Sequence, residues 1–568
     1  MSSKLTSAVI LPWVMLVAAS VPLSAAAQTP EGVATFESIG ITWGPPEASS
    51  TNVCLARYRE PGNAWREGYP LVFDEKALEY RGSLVKLSPD TAYEVELTLK
   101  HTGTQETFTL KTWSETFPVA KTVVLSEFSN ETLKITESGS PDGYVLYTAP
   151  SGKTSTIDGE RRRDFNVAID ASYVIVRGLI LKNAEKNSIR LHQGAHDVVI
   201  EENEMTGWGR LGELGWGSDD GAIHGSETTI ARIIVQRNLI HHPAADTNSW
   251  CERRPDAAVS SSGTHPKGPY AIYLFNTAGN HVIRYNTVYS DEHHYLSDIF
   301  GGGSNISREG FPNRDSDIYG NFLSHAWDDG IESEGGNRNV RIWENYIERV
   351  YNGVATRPTS VGPIYIWRNV LGSSRMCPQA SPDEDVRGEF HKAGQGSCSD
   401  CSDLGVFVFH NTVLQPAESG LRYPIGANGG AVGRMVNTTT RNNIFQVAMP
   451  DSGYSIKGGH SPSGSRNDYD YDLYNGQFRN LANEHEMHGI SGTPVYNPVV
   501  TLDPVQGRGI FVLDPLSPGY DSGVRLPNFN DEFTGQAPDM GAHEAGTPPM
   551  EFGIHAYRDG RKSTTQRP

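Results

Sequence analysis

Cysteine is scarce. The 568 residues hold five, Cys54, Cys251, Cys377, Cys398 and Cys401. An odd count leaves at least one thiol unpaired within the chain. Cys377, Cys398 and Cys401 share one Gly/Ser/Asp-rich stretch, where a loop disulfide suits an oxidising compartment. Cys398-Ser-Asp-Cys401 lacks the second Cys or His pair that a structural zinc site needs. Positive charge is also short: 48 Lys+Arg against 67 Asp+Glu give a formal net charge of −19. That balance argues against a nucleic-acid partner, and leaves a local basic strip as the way to bind any anionic polymer. Beyond the N-terminus no apolar run approaches the ~18 residues of a membrane span, so no membrane insertion is expected. Helical 3.6 periodicity is missing too. What is abundant is turn chemistry, with 59 Gly and 34 Pro among many Asn, Asp, Ser and Thr.

The N-terminus reads as a signal peptide over residues 1–27. Lys4 supplies the positive region and Ala8 to Ala19 the apolar one, with Ser24-Ala25-Ala26-Ala27 as the small-residue cleavage site. The mature protein is therefore expected to be secreted or periplasmic.

Residues 28–116 read as a small β-sandwich, with short apolar runs such as Ile39–Trp43 and Tyr93–Leu99 between turn signals. Leu87-Ser-Pro-Asp-Thr-Ala-Tyr93 resembles the fibronectin type III signature. That resemblance implies a tyrosine corner at Tyr93, and Trp43 and Tyr58 suit the sandwich core.

From 117 to 545 the chain repeats irregularly. An alternating strand runs into Asn, and an apolar residue follows close behind. The positions are Asn203, Asn238, Asn286, Asn321, Asn345, Asn369, Asn411 and Asn443, spaced 35, 48, 35, 24, 24, 42 and 32 residues apart. The shortest step suits one turn of a three-strand coil, and longer steps add loops. Asn tolerates the left-handed backbone of a corner, and its amide can bond to neighbours above and below. This pattern resembles the right-handed parallel β-helix of the pectin-lyase-like fold, with its asparagine ladder. The fold class expected is therefore all-β, a β-helix preceded by the sandwich. Residues 546–568 read as a disordered polar tail.

Chemistry concentrates in His325-Ala-Trp-Asp-Asp-Gly-Ile-Glu-Ser-Glu334. Crowded carboxylates need a cation, an Arg neighbour or a raised pKa. An acid-rich turn with solvated Glu side chains is the plain structural alternative. Alternation points Glu332 and Glu334 outward, and Arg357 outward one rung later, about 4.8 Å from the rung of Glu334. Asp328 or Asp329 is the expected general acid or base. Glu332 and Glu334 are its partners or cation ligands, with Asp298 a further metal candidate, and Arg357 holds substrate. His325, Trp327, Tyr273, His391 and Lys392 are the expected substrate-binding side chains, and Tyr295 and Trp216 are further sugar-stacking candidates. His293, His294, His241 and His242 are weaker candidates near the same cleft.

The Asp328-Asp329 pair resembles the vicinal acids of polygalacturonase-like hydrolases, whose His-Gly and Arg-x-Lys companions are not in order here. Asp219-Asp220-Gly-Ala-Ile-His224-Gly225 carries an acidic pair with a His-Gly several rungs earlier. Glu332-Ser-Glu334 and Arg357 resemble family six polysaccharide lyases, the chondroitinase B and alginate lyase type. That resemblance implies Glu-x-Glu calcium ligands on one rung and a catalytic Arg on the next. The family's Lys would fall near Asn339, where this chain has Asn337-Arg-Asn-Val-Arg341, so Lys392 would have to substitute from another rung.

These readings converge on an exported enzyme that cleaves glycosidic bonds of a polysaccharide. Hydrolysis is favoured over β-elimination of a uronic-acid polymer because carboxylates outnumber bases. A non-catalytic carbohydrate-binding or adhesin β-helix is the alternative of a different class. The motifs fix no cofactor, and calcium is the one the lyase resemblance implies. N-terminal sequencing of exported protein should start at Gln28; any other start would move the cleavage site.

Overall fold

The computed structural model describes residues 29–212, 217–250, 265–303, 305, 307–359, 361–375, 388–395, 404–414, 423–427, 435–458, 466–479, 481 and 485–558. The expected leader over residues 1–27, Trp216, Cys251, Cys377, Cys398 and Cys401 lie outside them, as do residues 559–568.

The N-terminal unit is two four-stranded antiparallel sheets. One contains Glu31–Ala34, Ile39–Trp43, Val72–Asp74 and Glu79–Leu84, and the other Cys54–Arg59, Arg66–Glu67, Ala92–Leu99 and Gln105–Lys111. Trp43, Tyr58 and Tyr93 fill the space between them. The Tyr93 hydroxyl accepts a hydrogen bond from the Ser88 amide at 2.9 Å, tying the turn before the strand to its start. Cys54 is a free thiol in this core, and burial pushes its pKa up to about 12. An inert structural cysteine is the result.

The rest of the chain coils into three long parallel sheets of 13, 12 and 12 strands. Ala231–Gln236, Leu239–His241, Tyr270–Leu274 and then Val282–Arg284 trace one turn and the start of the next. Strands three places apart in the chain are neighbours in each sheet, which makes this a right-handed parallel β-helix. Its interior is stacked aliphatics. Ile189, Ile223, Ile272, Phe300, Ile331 and Val354 are fully buried in the same core.

All eight expected asparagines stand at one corner, buried. The first seven each donate from Nδ2 to the Oδ1 of the next, at 3.0 Å from Asn203 to Asn238 and 2.9 Å from Asn321 to Asn345 and from Asn345 to Asn369. Each backbone amide donates to that same oxygen, as Asn345 N does to Asn369 Oδ1 at 3.0 Å. The left-handed residue at the corner is not the asparagine. It is the residue before it: Glu202, Arg237, Tyr285, Gly320, Glu344, Arg368, His410 or Asn442, all with φ between 49° and 64°. Asn is therefore selected for its two-sided amide, while the preceding residue absorbs the corner strain of about 1–2 kcal/mol. Removing one ladder amide would orphan buried groups at about 1–3 kcal/mol each.

The outer faces of two sheets are covered by other parts of the chain. Over the sheet containing Val340–Trp343, Tyr319, Trp343 and Trp367 stack at centroid distances of 4.1 and 5.3 Å. Phe36 and Val85 of the sandwich and Leu526 and Phe529 of the C-terminal segment join that cluster. Polar groups reinforce the junction: Asp317 accepts from Ser38 Oγ at 3.1 Å and pairs with Arg341 at 2.9 Å, both buried. Phe322, Tyr346 and Val370 of the 13-stranded sheet are packed by Phe511, Met550 and Phe552. Residues 546–558 are thus packed rather than a disordered tail. Met550–Glu551 pairs with Arg508–Ile510, because two apolar side chains in this polar stretch have a surface to bury.

The ladder ends in an acid. Asn443 donates from its amide at 2.7 Å and from Nδ2 at 2.8 Å to Asp472 Oδ1. Burial raises Asp472 to about 6 and, with Asp472 beside it, raises Glu486 to about 10. A carboxyl raised on folding contributes most below its unfolded pKa of about 3.9 and loses that contribution as pH climbs through its folded value. Asp472→Asn keeps the accepting oxygen and removes the charge. Its melting temperature should exceed wild type at about pH 7 and match it near pH 4; an unchanged or lowered Tm at neutral pH would refute this account of the ladder's end.

Candidate functional site

The remaining sheet, the 12-stranded one that includes Asp329–Glu332, carries the polar groups on its outer face. Register aligns them. His224, Tyr273, Gly301, Glu332, Ala355 and Lys392 occupy successive rungs of one outward column. Asp329 faces Asn352 in the neighbouring column. Gly301 leaves room for the acid, since a Cβ there would lie 2.7 Å from Glu332 Oε2.

Asp298, Asp328, Asp329, Glu332, Glu334 and Lys392 converge. Oxygens of Asp298, Asp328 and Asp329 all lie within 4.8 Å of one another, as do those of Asp329, Glu332 and Glu334. Lys392 Nζ is 2.7 Å from Asp329 Oδ2 and 3.1 Å from Glu334 Oε1, the second an ion pair without hydrogen-bond alignment. Its side chain is only 14% exposed. Neighbours fix the acids. The Asp329 amide donates to Asp298 Oδ1 at 2.8 Å, and Ser297 Oγ donates to Asp298 Oδ2 at 3.2 Å. Asn352 Nδ2 donates to Asp329 Oδ1 at 2.7 Å while its Oδ1 accepts from the Glu389 amide at 3.0 Å. The Gly303 amide donates to Glu332 Oε2 at 3.4 Å, and Asn305 donates to Glu334. His265 Nε2 stands 3.5 Å from Asp328 Oδ2.

Burial first, and mutual repulsion second, raise these acids. Asp298 lies well above its usual value, Asp328 and Glu332 at about 7 and Glu334 at about 8. Lys392 is buried, which works to lower it, yet the surrounding carboxylates hold it well above the usual lysine value. The cluster carries more acid than one lysine neutralises. Hard oxygen donors at this spacing fit calcium.

The other expected residues are distributed differently. Tyr273 lies in the outward column, its ring 4.9 Å from His224 and 4.6 Å from Tyr270. Arg357 is half-buried, and its aliphatic stem packs so closely on Gly394 that a Cβ there would lie 2.5 Å from Arg357 Cγ. The cation placed among the carboxylates is Lys392. His391 points the other way: it is fully buried in the coil interior, one rung from Val354, with Nε2 2.8 Å from Thr356 Oγ1. Strand alternation forbids both His391 and Lys392 from facing out, so His391 lies away from the outer face that carries the acids. His325 is also buried, 2.8 Å from Ser324 Oγ, and burial lowers it to about 4. Trp327 and Tyr295 sandwich the Arg375 guanidinium at 4.3 and 3.7 Å, so their faces are engaged in cation–π contacts. His242 and His294 pair with Asp291, and Arg210 holds Asp220 at 2.8 Å. Asn352, Asn305 and His265 were not legible in the sequence, because each reaches the cluster from another rung or a long loop.

No family model matches the chain, and comparison with curated proteins finds no match. Among solved structures the chain is similar to a crystal structure of the pectate lyase Pel9A, at 13% identity and a TM-score of 0.37, over 75% of this chain and 86% of that one.

Calcium should raise the Tm of wild type, by about 2.7 kcal/mol of stability at a hundredfold excess over Kd. The rise should be larger near pH 8 than near pH 5, where protons on the raised carboxyls compete with the ion. Asp298→Asn should lose most of it in a thermal-shift titration; an equal rise in that variant would place calcium elsewhere.

Proposed function

We propose that this protein is an exported, calcium-assisted polysaccharide lyase that cleaves a uronic-acid polymer by β-elimination. The observation that carries the reading is Lys392, a shielded amine at the centre of the acids and two rungs from Glu332 in the same outward column. Carboxylates alone favoured hydrolysis; a lysine in their midst supplies the base that elimination requires. Convergence of the acids also favours an enzyme over a purely binding or adhesive β-helix.

Asp298, Asp328, Asp329 and Glu332 are the residues suited to hold calcium, with Glu334 beside them. Bound there, calcium would neutralise the substrate's carboxylate and so acidify the C–H bond next to it. Lys392 acts at Nζ as the base. It removes the proton from C5, the C–H electron pair becomes the C4–C5 double bond, and the C4–O bond breaks. The departing oxygen is protonated by water. The role requires a neutral amine, so the carboxylates that hold the Lys392 proton must have their charge shared when the site is working. Asn352 holds Asp329 in place, and Tyr273 gives a sugar face an apolar surface on the upstream side.

Incubation with uronic-acid polymers and calcium should release products with an unsaturated end, read by ultraviolet absorbance and mass. Lys392→Ala should lower kcat by on the order of 10²-fold or more while leaving the fold intact. A chelator should abolish activity and added calcium restore it. Products carrying an added water would identify a hydrolase instead, with the raised carboxyls of Asp328 or Glu332 as its acid.

A further inference from the structure

The outward column extends beyond the acid cluster in both directions, and its charge runs against that of the chain. Upstream of His224 it passes Arg190 and Ala168 to Lys134. Downstream of Lys392 it passes Gly426 to Lys457 and Arg479. On a protein of net charge −19, the column holds Lys134, Arg190, Lys392, Lys457 and Arg479 against Glu332 as its one acid. Arg190 is half-buried and donates Nη2 to Ser226 Oγ at 3.1 Å, and Arg479 is exposed with its guanidinium 5.3 Å from the Tyr454 ring. Neither forms an ion pair among the described residues. A guanidinium without a carboxylate at ion-pair distance is poised to take one from a ligand.

Spacing sets the size of that ligand. Strands Asn187–Leu191 and Gln477–Arg479 are separated by nine steps of the sheet. At about 4.8 Å per step the two arginines stand roughly 43 Å apart, with Glu332 about 19 Å from Arg190. No single sugar or disaccharide spans that distance. Between the cations the column narrows to Gly301, Ala355 and Gly426, positions with a methyl group or no side chain at all. His224 and Tyr273 add ring surface on the upstream side.

We infer that this column is an extended track for a polyuronate chain, in which Arg190 and Arg479 bind carboxylates of sugars several units to either side of the acid cluster. The inference rests on the proposed elimination only for where the reacting sugar sits. It makes the protein a reader of long chains that acts within them rather than at their ends, and it makes Arg190 and Arg479 determinants of chain-length specificity.

Binding can be separated from chemistry in the Lys392→Ala background. Polygalacturonate and alginate, each as long polymer and as trisaccharide, would be titrated with calcium present and affinities read by calorimetry. Arg190→Gln and Arg479→Gln should each weaken long-chain binding about tenfold, with a larger loss when combined, and higher salt should shrink the difference. Trisaccharide affinity should show no such loss, because a short chain does not span the anchors. Arg162→Gln, on an exposed turn outside the column, serves as the control. Wild-type affinity in the double variant, equal losses on short and long chains, or no binding of either polymer would overturn the track. If wild type yields no unsaturated ends while the length-dependent loss holds, the elimination reading falls and the track stands. If unsaturated ends form but the arginine variants bind normally, the reverse is true.

Discussion

Everything in the coil depends on one hydrogen bond repeated from rung to rung, from the Nδ2 of a ladder asparagine to the Oδ1 of the next. Parallel strands of aliphatic residues have little to stop them slipping, and a slip of one residue turns every inward side chain out. The ladder prevents this by giving each rung a single polar position that must meet its equivalent above and below. Once register is fixed, columns follow. A residue's column is then decided by the strand register that the ladder holds, and loops can leave and return without disturbing it.

That arrangement explains how so much charge is tolerated in one place. The acids come from a turn, a strand and the following loop, and each is held by a neighbour's amide or side chain rather than by the lysine alone. Lys392 arrives from two rungs away, across a long insertion, yet lands beside Asp329 because register brings it there. The two other sheets are covered by the sandwich and the C-terminal segment, whose aromatic and aliphatic side chains are spent on them. The face that remains bears the polar column.

The coil was legible because its signals are local. Asn followed by an apolar residue, at spacings no helix produces, is written in the sequence, and so are the alternation that sends Glu332 outward and the sandwich core of Trp43 and Tyr58. The left-handed corner was misassigned by one position, since tolerance of that backbone and need for a side-chain amide fall on adjacent residues. Lys392 was visible as a residue but not as the centre, because its rung follows a long loop whose register cannot be counted. His391 was misplaced for the same reason: one residue of uncertainty exchanges inside for outside. Asn352 and His265 carried no motif, and only the fold brings them to the acids. The packing of residues 546–558 was hidden by a polar composition in which Met550 and Phe552 are the two that matter.

The sandwich at one end of the chain is sealed to the coil by residues from the other. Asn528 donates to the Tyr58 hydroxyl at 2.8 Å and accepts from the Val85 amide at 2.7 Å, pairs separated by 470 and 443 positions. Contacts of such long range close late in folding. A chain emerging N-terminus first presents its sandwich long before the surface that will hold it exists. The first unit must therefore stand on its own core, while Phe36 and Val85 wait for the stack of Tyr319, Trp343 and Trp367 to form beneath them. Synthesis that stops short of residue 528 leaves that aromatic seam without its closing piece, so the final segment works as a completeness check on the whole molecule.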